Sequence, residues 1–281
     1  MSSGNYPELI VIGAQKCATT SLWRYLDLHP EISMASAKET NFFLWHSDRG
    51  PGFYEGLFDP AARVRGESCP DYSVRPFSDE VAGRIARAVP EARLIYLVRD
   101  PVQRVVSHWM HAASLGRDPL PFAESVASEE FPVSEYVLRS RYWWQLEPFR
   151  AEFPPERIRI VVQEDLAADP VATMRDLFDY AGVDPDAAPA DELGRRFHQS
   201  ESKRQPPRLA RALILPGARA NALPPGPRRA RLLNAVTRRF GRPLPRPEPG
   251  PAESERIREL VRDDATRLAR DLGRSLWGFG D

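Results

Sequence analysis

Five residues suited to holding an anion fall within nine positions: Gly13, Lys16, Thr19, Thr20 and Ser21, in the string LIVIGAQKCATTSL. The apolar run Leu9–Ile12 is a buried-strand signature and Gly13 ends it. From Thr19 a helical pattern begins, with Leu22, Trp23 and Leu26 on its apolar side. The first N–H groups of a helix have no partner within it, and the helix dipole favours negative charge at that end. The loop between strand and helix is therefore expected to cradle a phosphate-like group. Lys16 adds a mobile positive charge, the three hydroxyls add donors, and the small residues Cys17 and Ala18 let the backbone approach a ligand. A loop of the form GxxxxGK[ST] would need a second glycine and then a lysine where this chain has Ala18 and Thr19. Here the lysine comes early, three residues after Gly13.

A second cluster lies in LIYLVRDPVQRVVSHW. Arg99 follows the apolar run Leu94–Val98, and the end of a strand is where open α/β sheets bind ligands. Its guanidinium can grip a phosphate through two parallel hydrogen bonds. Asp100 and Pro101 read as the N-cap and first residue of a helix. That helix carries Val102, Val105, Val106 and Trp109 on one face and Arg104, Ser107, His108 and His111 on the other. A hydrophobic strand ending in aspartate also fits the Mg²⁺-organising strand of a nucleotide kinase, with Asp100 as the metal partner.

These residues need a scaffold, and the pattern supplies one. Leu9–Ile12, a weaker Val64–Glu67, Leu94–Val98 and Ile158–Val162 read as buried parallel strands. Helical stretches are expected over Thr19–Leu28, Ser78–Ala88, Pro101–Ala113, Glu135–Phe153, Pro170–Ala181 and Ser254–Leu272. Strand and helix alternation predicts one α/β domain over residues 1–281, with a central parallel sheet flanked by helices. Between Gln205 and Pro251 the composition shifts to proline and arginine, with Glu248 the only acid. Two short helices, Arg208–Leu215 and Arg228–Arg239, are expected in this excursion, which reads as a solvated surface segment or a basic lid over an anionic acceptor.

The 281 residues carry no net charge, so no global field points to nucleic acid or an anionic membrane as partner. Two cysteines, Cys17 and Cys69, give neither a disulfide framework nor a zinc pattern, which suits a reducing compartment. No apolar run reaches transmembrane length, and MSSGNYPEL lacks the features of a signal peptide, so a cytoplasmic location is expected. Oligomeric state leaves no trace in the pattern.

The arrangement GxxKxxTT[SA]L, and the wider GAQKCATTSLWRYLDLHPEI, resembles the 5′-phosphosulfate loop of sulfotransferases that use 3′-phosphoadenosine 5′-phosphosulfate (PAPS). The likeness is greatest to the heparan sulfate sulfotransferase branch and its bacterial relatives. It implies a kinase-like sulfotransferase fold and PAPS as co-substrate, released as 3′,5′-ADP, with no metal. By that resemblance Lys16 through Ser21 hold the phosphosulfate, and Arg99 and Ser107 match the segment that holds the 3′-phosphate. AKETNFF resembles the branch's E-x-x-F-F signature, which makes Glu39 the general base, with His46 and His29 as rivals because another branch uses histidine. Ser140, Arg141 and Tyr142 resemble a segment near the nucleotide, and Phe197–Arg208 the loop that closes over it, with Lys203 and Arg204 as donors. The chain departs from the branch at Ser68, in GESCPDYS, where the family places a lysine; this argues against a sulfated glycosaminoglycan acceptor. The implied activity is sulfuryl transfer to a hydroxyl, less readily an amine, of a small molecule or glycan. A Mg-NTP-dependent kinase and a non-catalytic nucleotide-binding module are the alternatives. The aromatics Phe42, Phe43, Trp45, Trp143 and Trp144 either line an apolar acceptor pocket or fill the core.

Overall fold

The computed structural model describes residues 4–118, 120–194, 204–205, 207 and 235–280. Five strands, β1 (Leu9–Gly13), β2 (Ile32–Met34), β3 (Val64–Ser68), β4 (Arg93–Val98) and β5 (Ile158–Val162), form one parallel sheet in the order β2-β3-β1-β4-β5. The helices are α1 (Thr19–Asp27), α2 (Pro51–Glu55), α3 (Val81–Ala88), α4 (Pro101–Ser114), α5 (Phe122–Ala127), α6 (Glu135–Leu138), α7 (Tyr142–Glu152), α8 (Gln163–Ala168) and α9 (Pro170–Ala181). A last helix spans Pro251–Asp271. The four expected strands are present; β2 escapes the pattern because three residues are too few to show a period.

Two compact units are formed. One comprises Met1–Asp100, Leu138–His198 and Arg262–Asp281 and contains the sheet; the other comprises Pro101–Val137 and Gln199–Val261. In the second unit α4 buries Val102, Val105, Val106 and Trp109, and a two-residue pair joins Arg204–Gln205 to Arg242–Pro243. The helix expected over Arg208–Leu215 lies outside the described residues. Of that expected over Arg228–Arg239, residues from 235 onward are described, and residues 235–240 are helical.

The helix expected over Ser78–Ala88 starts at Val81, α2, α5 and α8 were not expected, and one expected helix is broken in two. The run Glu135–Phe153 is interrupted after Leu138, and α7 starts afresh at Tyr142. Arg141, at its N-cap, has φ −81° and ψ 76°, outside the helical region, and offers no side-chain cap. The carboxylate of Asp264 on the last helix takes its place, accepting the Trp143 and Trp144 amides at 3.0 and 2.8 Å. Burial pushes Asp264 up to about 6. Apolar periodicity runs through such a break unchanged, because the cap comes from a residue more than a hundred positions away.

Strands β1 and β4 are central, and Leu9–Ile12 and Leu94–Val98 are buried throughout. Each such side chain contributes about 1.5–3 kcal/mol on leaving water. The chain leaves β1 toward β2 on one side and leaves β4 toward β5 on the other, so the crevice beyond their carboxyl ends is the switch point of the sheet. Glycine is needed where β1 ends. A Cβ on Gly13 would sit 2.6 Å from the Tyr96 ring and against the Ser73 hydroxyl, which donates to the Ile12 carbonyl at 2.8 Å. Gly13→Ala is therefore expected to cost about 1–3 kcal/mol of stability, measured by urea unfolding; an unchanged midpoint would contradict this packing.

Candidate functional site

The loop after β1 is held open by its backbone. Lys16 and Ala18 adopt left-handed conformations, with φ of 70° and 69°, each costing an L-residue about 1–2 kcal/mol. Ala18 is the N-cap of α1, has no side-chain acceptor to offer the first amides of the helix, and no acid stands in the first turn. That helix start is thus left for an external anion. Thr19 and Cys17 are buried, while Lys16, Ala18, Thr20 and Ser21 are half-buried.

Across the switch point stands Arg99, half-buried directly after β4. Its Nη1 lies 3.5 Å from the Lys16 carbonyl oxygen, and its Nε is buried without a partner. An orphaned guanidinium donor inside a protein carries a full desolvation penalty, and an anion between the loop and Arg99 would relieve it. The residues present therefore fit a phosphate-bearing ligand. Tyr142, from the start of α7, braces the same point: its hydroxyl donates to the Arg99 carbonyl at 2.8 Å and lies 3.6 Å from Cys17 Sγ. The Asp100 amide is taken by Glu164 Oε1 at 2.9 Å.

A chain of polar contacts that the motifs did not reveal backs the loop. Arg139 donates to Gln15 Oε1, and Gln15 Nε2 donates to Asp71. Arg139 reaches Gln15 because the helix breaks just there. No local pattern could have found residues so far apart in sequence.

Glu39 lies on the loop after β2, and its amide donates to the Ser68 carbonyl at the end of β3, 3.0 Å away. Since β3 pairs directly with β1, this loop and the Lys16 loop leave the same carboxyl edge of the sheet. The Glu39 side chain is 48 % exposed, so a substrate can reach it, and it pairs with Lys38. Among the described residues five non-glycine residues have positive φ. Lys16, Ala18, Glu39 and Asn41 are four of them, all on these two loops. Backbone strain gathered at one edge is the mark of a working site, because the fold must hold such residues against their preference.

The other named residues fall as follows. His29 is buried, accepts the Glu31 amide at Nδ1 (3.1 Å) and so presents Nε2–H to the Asp184 carbonyl at 2.7 Å. Both ring nitrogens are thereby occupied, and the residue joins the loop after α9 to the end of α1. His46 is exposed at the end of a single π turn, Phe42–His46. Ser107 is buried in the second unit, on α4. In that unit Arg204 is exposed and donates to the Gly241 carbonyl at 3.0 and 2.6 Å; Lys203 lies outside the described residues. Phe42 and Phe43 are core, with Phe42 stacked on Tyr54 at 4.2 Å. Trp143 and Trp144 are half-buried beneath Arg150 and Arg75. Trp45 is exposed and, with Leu44, Phe77 and Arg84, lines a cavity of about 300 Å³. Among the described residues no helix is long and apolar enough to cross a membrane, and no cluster of His, Cys, Asp and Glu is placed to hold a metal ion.

Comparison with known proteins agrees with this architecture. A sequence model of the sulfotransferase family matches residues 52–187. The chain is 28 % identical over 189 residues to mouse heparan sulfate glucosamine 3-O-sulfotransferase 3B1, covering 64 % of this chain and 47 % of that protein. It is 30 % identical over 197 residues to human bifunctional heparan sulfate N-deacetylase/N-sulfotransferase 3, covering 64 % of this chain and 22 % of that protein. The chain thus spans about half the length of the first relative and a smaller part of the second. In fold it is similar to a sulfotransferase from Alicyclobacillus acidocaldarius, with a TM-score of 0.68 and 24 % identity, covering 96 % of this chain and 97 % of the other. The sulfotransferase domain of the Synechococcus PCC 7002 olefin synthase has a TM-score of 0.50 at 14 % identity, covering 96 % of each chain. The resemblance read from the motifs is borne out: the chain is similar in sequence to sulfotransferases and has the fold of the solved ones.

Proposed function

We propose that the chain transfers a sulfuryl group from PAPS to a hydroxyl, less readily an amine, of a small molecule or glycan. The observation that carries this reading is the pairing of two strained loops at one edge of the sheet. One presents Lys16 and a helix start without a side-chain cap, beside an Arg99 guanidinium whose Nε is buried without a partner; the other presents an exposed carboxylate, Glu39. In this reading Glu39 takes the proton from the acceptor hydroxyl as its oxygen attacks sulfur. The bond from sulfur to the bridging oxygen of the 5′-phosphate breaks, and 3′,5′-ADP leaves. Charge gathers on that bridging oxygen, where Lys16 and the amides of α1 neutralise it without reorganisation. Arg99 holds the phosphate at the other end of the nucleotide. Two buried free thiols, Cys17 and Cys69, support a cytoplasmic place of action.

Thermal unfolding with 3′,5′-ADP against Mg·ATP tests the reading. Stabilisation by 3′,5′-ADP is expected; at a hundred times Kd it amounts to about 2.7 kcal/mol. Stabilisation by Mg·ATP with none by 3′,5′-ADP would replace this function with that of a kinase. A mass-shift screen with PAPS would then identify the acceptor.

A further inference from the structure

Glu67 is a carboxylate that the transfer reaction does not touch. It lies on β3, is wholly buried, and sits one residue before the Ser68 carbonyl that receives the Glu39 amide. An ionised side chain so placed is costly unless its oxygens are bonded, and a core built for stability alone would place an apolar residue here. Instead three hydroxyls converge on it. Thr40 and Tyr72 donate to Oε1, Tyr72 at 2.9 Å, and Tyr54 donates to Oε2. Burial pushes the Glu67 acid up, and the three hydrogen bonds pull it back.

The donors show what the carboxylate fixes. Thr40 follows Glu39 directly and is itself buried; its Oγ1 also accepts the Phe42 amide at 3.2 Å. Tyr72 accepts the Phe43 amide at 3.3 Å. Asn41 Oδ1 accepts from Cys69 Sγ at 3.2 Å. Glu39 and Thr40 are thus stitched to the end of β3, and Asn41 and Phe43 to Cys69 and Tyr72 in the turn that follows it, with Glu67 receiving both Thr40 and Tyr72. Glu39 and Asn41 hold φ of 60° and 53°, and such conformations persist only where the surroundings over-determine them.

We propose that Glu67 is a positioning residue for the transfer reaction: its carboxylate, through Thr40, holds Glu39 in its left-handed conformation at the carboxyl edge of the sheet. The inference rests on the reading of Glu39 as the base. Its signal in the sequence was a lone acid inside a strand that the fold buries, and acid in a strand core calls for a partner.

The test uses Thr40→Val, which removes the hydroxyl at nearly constant shape, Thr40→Ser, which restores it, and Glu67→Gln. Amide hydrogen exchange at Glu39 and Phe43 is expected to accelerate about tenfold or more in Thr40→Val and Glu67→Gln, while the β1 amides keep wild-type rates and Thr40→Ser restores protection. Release of 3′,5′-ADP from PAPS, with water as acceptor, should fall by a similar factor in kcat with KM for PAPS unchanged. Should Glu67→Gln fail to fold, Thr40→Val still decides. Wild-type exchange at Glu39 in Thr40→Val, or a rate of PAPS breakdown equal to wild type, would overturn the proposal. A wild-type protein that neither binds 3′,5′-ADP nor consumes PAPS would remove the transfer reading instead, while the exchange measurement would still judge the role of Glu67 in holding the loop.

Discussion

Lys16→Ala is expected to lower kcat for PAPS-dependent transfer by about a thousandfold or more, equal to about 4 kcal/mol of lost transition-state stabilisation. The size follows from where the charge forms. Before reaction the phosphosulfate is held by several groups together, namely the amides of α1 and the hydroxyls of Thr19, Thr20 and Ser21. Only as the bond to sulfur breaks does a full negative charge collect on the bridging oxygen. Lys16 is the cation of the β1 loop, and its left-handed backbone fixes the direction in which its side chain leaves that loop. An interaction made in the transition state appears in kcat, whereas one shared equally with the ground state appears in KM. Affinity for 3′,5′-ADP should therefore fall far less than kcat. Single-turnover kinetics and a binding titration separate the two, and near-normal turnover would exclude Lys16 from the bond-breaking step.

Glu39→Gln should suppress transfer by about a hundredfold to a thousandfold, the usual contribution of a positioned base, while leaving nucleotide binding intact. The amide keeps the size of the side chain and an oxygen for the acceptor hydroxyl, but it takes no proton. Because the side chain is half exposed and its neighbour Lys38 is the partner, the substitution should leave stability within about 0.5 kcal/mol of wild type. A variant with the transfer rate of the wild type would pass the role of base elsewhere. His46, exposed at the end of the π turn that follows, is the first to examine in that event.

Much of the scaffold was legible in the chain. Leu9–Ile12, Leu94–Val98 and Ile158–Val162 read as buried strands because a central parallel strand is apolar on both faces and so forms a continuous run. The anion loop was legible for a related reason: a strand end, a glycine, a lysine and hydroxyls at a helix start lie within a dozen residues, and no distant partner is needed to define it. The break between α6 and α7 was hidden, because apolar spacing continues through it and the cap that starts α7 comes from Asp264. Glu39 offered only its resemblance to a family signature, since an acid beside a lysine in a polar loop has many ordinary explanations.

The chain alone therefore determined most of its elements, the anion loop and the likeness to sulfotransferases, since each of these rests on residues close together in sequence. Tertiary structure decided which elements meet. The order β2-β3-β1-β4-β5 brings Arg99 to Lys16 across 83 positions and Arg139 to Gln15 across 124. It also sets the Glu39 loop against the end of β3, above the buried Glu67. The reason is physical: hydrophobic period reports which face of an element is buried, but not which strand lies beside it. Neighbours are chosen by the crossovers of a parallel sheet, and only once they are chosen do the carboxyl ends of β1, β3 and β4 become one site.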